Sequence, residues 1–142
     1  MAEPLSVTTS ILGVICFATQ SCQFLHGVFQ SFADAPKDIQ QQLHTLQALS
    51  STLERIKALG EEIPPEVQWP IELDNGVQNC LTDLQKMEAK MGKMSKRIEK
   101  GRIQRTWTRL WWLSNTPELN MFFTRVQTYQ ATFALDLVML QM

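Results

Sequence analysis

Apolar residues recur at steps of three and four through most of this chain, the period of a helix with one buried face. Ile39, Leu43, Leu46, Leu49 (or Ser50), Leu53, Ile56 and Leu59 form one stripe. Leu73, Val77, Leu81, Leu84, Met87, Met91, Met94 and Ile98 form another, and Leu119, Phe122, Val126, Tyr129, Phe133, Leu137 and Leu140 a third. No strand-like alternation with hairpin turns and no internal repeat interrupts them. Pro4, Pro36, Pro70 and Pro117 each stand just inside a periodic segment, where the first helical turn tolerates a missing N–H. Asp34 before Pro36, and Thr116 before Pro117 and Glu118, read as N-caps. Gly60–Pro70 (GEEIPPEVQWP) is the proline-rich connection, and Gly101 opens a short helix. The spacing predicts an all-α fold: a four-helix bundle of long helices with a short extra helix before the last one. The helices fall at about 4–33, 36–59, 70–100, 102–113 and 116–141, in one domain over 1–142. Gly76 and Gly92 weaken the third long helix by about 1 kcal/mol each relative to Ala.

The first helix differs from the others. Between Glu3 and Asp34 there is no Asp, Glu, Lys or Arg, and only His26 could carry a charge. At about 100° per residue, Val7, Ile11, Val14, Ala18, Cys22, Leu25, Phe29 and Phe32 gather on one side. Thr9, Gly13, Gln20, Gln23, Gly27 and Gln30 gather opposite. One reading is a bundle helix buried on most sides. The other is a helix that leaves water for lipid, because an uncharged polar strip enters lipid without burying a charge. The segment exceeds the roughly 20 residues that span a bilayer, yet is too polar for a constitutive span, so membrane entry would be conditional. An oligomer could hide the Ser, Thr and Gln faces against each other. The candidate membrane-active residues are Leu5, Val7, Ile11, Leu12, Val14, Ile15, Phe17, Phe24, Leu25, Val28 and Phe29.

The formal net charge of −1 implies no special partner, but the charge is unevenly placed. Lys86, Lys90, Lys93, Lys96, Arg97, Lys100, Arg102, Arg105 and Arg109 stand against only Glu88 and Glu99. A solvated outer face explains such a run. An anionic-lipid surface explains it too, at roughly 1 kcal/mol per basic residue near a charged membrane. The candidate lipid contacts are Lys93, Lys96, Arg97, Lys100, Arg102, Arg105 and Arg109. Trp107, Trp111 and Trp112 alternate with the last two arginines, and suit either a bilayer interface or the anchoring of a short helix on the bundle. No nucleic acid is expected, because the aromatics lie neither on a strand platform nor in a recognised motif.

Cys16, Cys22 and Cys80 are an odd number without metal-ligand spacing, which favours a reducing compartment. The start MAEP lacks the basic region of a signal peptide, so an intracellular protein is expected. There is no glycine-rich phosphate loop, nucleophile elbow, HExxH or CxxC; His26 and His44 stand alone, and Glu61-Glu62 has no partner base in view. Neither an enzyme nor a cofactor is expected.

The opening MAEPLSVTTSILGVICFATQSCQFLHGVF, followed by FADAPKDIQQQLHTLQALSSTLERI, resembles the N-terminal domain of fungal STAND (NOD-like) receptors, in the HeLo-like group of cell-death and heterokaryon-incompatibility effectors. Pro4-Leu5-Ser6, Asp34-Ala35-Pro36, Cys80-Leu81-x-x-Leu84 and the basic Trp-containing stretch carry the resemblance, by order and spacing along the whole chain. It implies a helical bundle whose first helix is released on oligomerisation and perforates a membrane. It further implies a cytoplasmic domain, conditionally at the plasma membrane, with anionic lipid, its own copies or a STAND receptor module as partners. No nucleotide-binding module is present in the 142 residues, so the resemblance implies an excised domain or a stand-alone protein with another trigger. The alternative reading is a soluble helical interaction or oligomerisation module that never meets lipid.

Overall fold

Each apolar stripe becomes one helix: α1 Pro4–Ser31, α2 Lys37–Glu62, α3 Ile71–Glu99 and α4 Arg105–Gln141. The computed structural model describes residues 4–31, 37–64, 69–99 and 105–141, with side-chain surroundings for 11–30, 37, 40–64, 69–93 and 113–141. The expected cap at Asp34 and Pro36, and the short helix's start at 102–104, lie outside the described residues.

α1 packs against α2 and α3, and α4 packs against the same two helices. The order around the bundle is therefore α1, α2, α4, α3, with α1 and α4 diagonally opposed. The core is built from the predicted stripes: Leu46, Leu49, Leu53 and Ile56 of α2, Leu73, Val77, Leu84, Met87 and Met91 of α3, and Leu119, Phe122, Val126, Phe133 and Leu137 of α4 are all buried. Phe29 and Phe123 meet across the diagonal with ring centroids 5.4 Å apart. α3 and α4 share the sparsest packing. Polar ties cross that seam: Lys90 pairs with Glu118, and Arg125 Nη1 lies 3.4 Å from Asp83 Oδ1. The Tyr129 hydroxyl donates to the other Asp83 oxygen.

The α2–α3 connection is pinned by Trp69, half-buried against Gly60 and the bundle. A Cβ at Gly60 would sit 2.5 Å from Trp69 Cζ2 and 2.8 Å from Leu12 Cδ2. The glycine is what lets the indole seat there.

The predicted break between a short helix and the last helix is not there. α4 runs without interruption from Arg105 to Gln141, with Pro117 inside it and Thr116 helical rather than capping. Proline removes one N–H and crowds the carbonyl one turn back, which belongs to Leu113. Leu113 is exposed (72%) and Pro117 is exposed as well, so water can satisfy that carbonyl. Among the described residues, α2 ends at Glu62, three residues beyond expectation, and α3 begins at Ile71, one residue after it.

Candidate membrane-facing site

α1 splits the candidate membrane-active residues into two sets. Ile11, Ile15, Leu25, Val28 and Phe29 are buried in the core beside Ala18 and Cys22. Leu12 and Val14 are half-buried against that core. Phe17 (57% exposed) and Phe24 (41%) point the other way, into solvent. Leu5 and Val7 lie on α1, but their side chains are outside the described residues. Ile15 takes the central core position that helical spacing gave to Val14.

The polar residues of α1 are divided just as sharply. Thr19 and Ser21 are buried. Thr19 Oγ1 donates to the Ile15 carbonyl at 2.8 Å, and Ser21 Oγ donates to Glu88 at 3.4 Å. Local back-bonding satisfies a hydroxyl inside a helix without outside help. Gln20, Gln23, Gly27 and Gln30 face solvent, with Gln23 donating to Glu54 at 3.3 Å. The outer face of α1 is thus two exposed phenylalanines among glutamines and glycines, with no charge. Ile11–Gln30 is long and apolar enough to cross a membrane by length and composition, a test that the core helix of a soluble protein also passes.

Of the predicted lipid contacts, Lys93 is exposed at the end of the described part of α3. Lys96 and Arg97 lie on α3, and Arg105, Trp107, Arg109, Trp111 and Trp112 on the first turns of α4, with side chains outside the described residues. Lys100 and Arg102 are outside them altogether. Lys90, within the same basic run, is turned to Glu118 of α4.

Helical spacing alone missed two features. A cleft of about 470 Å³ opens between α3 and α4, lined by Asn79, Thr82, Asp83, Lys86, Arg125 and Tyr129. Burial, then the hydrogen bond to Asp83, pushes the Tyr129 hydroxyl above its ordinary range. The second feature is the outer side of α4, where Met121, Leu135, Val138 and Met139 are all more than half exposed. Its signal was present: from Val126 to Met142 the only charged residue is Asp136.

Burial suppresses the thiolate form of the two buried thiols. Burial pushes Cys22 up to about 12, and burial with the nearby Cys22 raises Cys80 further. Both stay protonated at neutral pH. Among the described residues no group of three or more His, Cys, Asp or Glu could hold a metal ion.

The family model for the N-terminal region of the pigment biosynthesis cluster protein PigL matches residues 2–142. The chain belongs to this family. It is a fungal, HeLo-like family, consistent with a fungal helical effector domain, and the match carries nothing about a STAND receptor. No curated protein and no solved structure matches the chain.

Proposed function

We propose that this PigL N-terminal domain is a membrane-directed effector module that permeabilises lipid bilayers once it oligomerises, at the head of a NOD-like receptor system in regulated cell death or incompatibility. One observation carries the reading: α1 presents an uncharged outer face with two exposed phenylalanines on a segment long enough to span a bilayer. The basic residues from Lys93 to Arg109 supply the attraction to anionic lipid, and Trp107, Trp111 and Trp112 the interfacial anchors.

Release of α1 is not spontaneous on this account. Ile11, Ile15, Leu25, Val28 and Phe29 each contribute about 1.5–3 kcal/mol by burial, on the order of 10 kcal/mol together. That is comparable to the whole stability of a small domain, about 5–15 kcal/mol. Lipid contact and oligomerisation must together replace it.

The second reading, a soluble interaction module, is favoured by the same burial. Dye release from liposomes separates the two. The effector reading expects leakage that needs anionic lipid and is lost in Phe17→Glu, whose exposed position keeps the fold intact. Ile15→Glu cannot serve, because a charge at a fully buried position unfolds the bundle. No leakage from any vesicle, with the protein left in the supernatant, supports the soluble module.

A further inference from the structure

Two helix faces outside the core carry a regular three-four spacing that the bundle does not use. On α1 it runs Gly13, Phe17, Gln20, Phe24, Gly27, with Gly13 half-buried and the other four exposed. On α4 it runs Met121, Thr124, Thr128, Ala131, Leu135, Val138, all exposed. This is the spacing of a seam that packs one helix along another. Neither seam contains a charge, whereas the outer faces of α2 and α3 carry Lys37, Glu54, Arg55, Glu61, Glu72 and Lys86. On α4 the charges Glu118, Arg125 and Asp136 lie off this seam, on other faces of the helix, so each of the two diagonal helices keeps one uncharged outer strip.

The two seams also match in size. Run antiparallel, they pair Gly13 with Leu135, Phe17 with Ala131, Gln20 with Thr128, Phe24 with Thr124 and Gly27 with Met121. Every large side chain meets a small one, and the central pair is polar. No atom lies within 4 Å of a Cβ built at Gly13 or Gly27, so both ends of the α1 seam are open to receive a partner. Pairing α1 with itself antiparallel would instead set Phe17 against Phe24 and Gly13 against Gly27, large on large and gap on gap.

The bundle places the seams in the required sense. Leu12 against Gly60 and Gln23 against Glu54 make α1 antiparallel to α2. Lys90 with Glu118 and Gly76 beside Phe133 make α3 antiparallel to α4. With chain direction reversing at each connection, α1 runs antiparallel to α4. Phe29 meets Phe123 at one level, so Gln20 lies level with Thr132, about one turn from its proposed partner Thr128. A second copy in the same orientation, moved along the diagonal and slipped by that turn, brings its α4 onto α1 in the matching register.

We infer that copies of this domain associate head to tail, the outer seam of α1 on one packing antiparallel along the outer seam of α4 on the next. Such a heterologous contact does not close on itself with two copies and continues into a chain. A single-helix seam is smaller than the roughly 800 Å² per partner of a standard interface, so the association is weak and concentration-dependent. It gives a form to the oligomerisation that the membrane reading invokes and uses the same outer face of α1, but its test contains no lipid, so the two fail separately.

Sedimentation velocity of the purified domain, from micromolar to about 1 mM, is the test, with Phe17→Glu and Leu135→Glu as variants. Both sites are more than half exposed, and unchanged circular dichroism and melting certify the fold. The wild type is expected to grow beyond a dimer with concentration, and each variant alone to stay monomeric. An equimolar mixture of the two variants retains one intact α1 seam and one intact α4 seam. It is expected to form a dimer and stop. A monomeric wild type at about 1 mM, association of either variant alone, or a mixture that stays monomeric would each overturn the inference.

Discussion

Gly60 shows how far a single side chain is constrained. Its missing Cβ leaves room for Trp69 and Leu12, and atoms 2.5–2.8 Å away must shift if one is added. Gly60→Ala is expected to destabilise the fold by about 1–3 kcal/mol, the usual range for overpacking, read by chemical denaturation. Asp136 makes a prediction in pH. Burial, then the neighbouring Glu72, raises its carboxyl above the ordinary value, so the folded state binds its proton more tightly than the unfolded chain. The charged form is therefore a cost at neutral pH, and the cost fades as the pH falls through the raised value. Asp136→Asn is expected to melt higher than wild type at pH 7, with the gap closing toward pH 4 or below. Tyr129→Phe removes the hydroxyl that donates to Asp83 and is expected to lose about 0.5–1.5 kcal/mol of stability. At this scale the sequence was only partly legible. Helical spacing ranks Val14 with the core, but Ile15 is the fully buried residue. Thr19 and Ser21 are buried although polar, because a carbonyl one turn back and a glutamate on α3 accept their protons. Partners of that kind are set by the packing of helices and have no signature in one stripe.

The helices themselves were legible because each apolar stripe persists for many turns, and most described stripe residues are buried or half-buried. α4 is where element-level reasoning went astray. Proline after threonine and before glutamate is a strong start signal, yet helix continues on both sides of Pro117. Exposure explains the tolerance, since water can reach the carbonyl that Pro117 leaves without its helical donor. A continuous helix makes Pro117→Ala stabilising, by up to about 3 kcal/mol less the entropy that proline removes from the unfolded chain. A separate helix starting at Pro117 would make the same substitution neutral or harmful. Thermal melting distinguishes the two. α1 repays attention for the opposite reason: its lack of charge was plain in the sequence, but the division into a core face and a Phe17–Phe24 outer face was not. Both phenylalanines could equally have filled the core.

For the whole molecule, the arrangement of faces matters more than any one residue. Diagonal placement leaves two uncharged strips, on the outer faces of α1 and α4, separated by the charged outer faces of α2 and α3. The sequence announced the first edge through the charge-free run after Glu3, and the second only faintly, through the near absence of charge after Arg125. Their opposition across the bundle depends on the order of helices around the core, which stripes do not encode. The proposed membrane function depends on whether α1 can leave that core. Cys80 of α3 is a built-in reporter, being fully buried and close to Cys22 of α1, while half-exposed Cys16 on α1 itself reports the surroundings of that helix. Mass-spectrometric mapping of thiol alkylation, with and without anionic vesicles, reads both sites in the unmodified protein. The account predicts that Cys80 reacts only when vesicles are present, and that Cys16 reacts without vesicles and loses reactivity as α1 enters lipid. Cys80 remaining protected in protein that has bound the vesicles would contradict the release of α1.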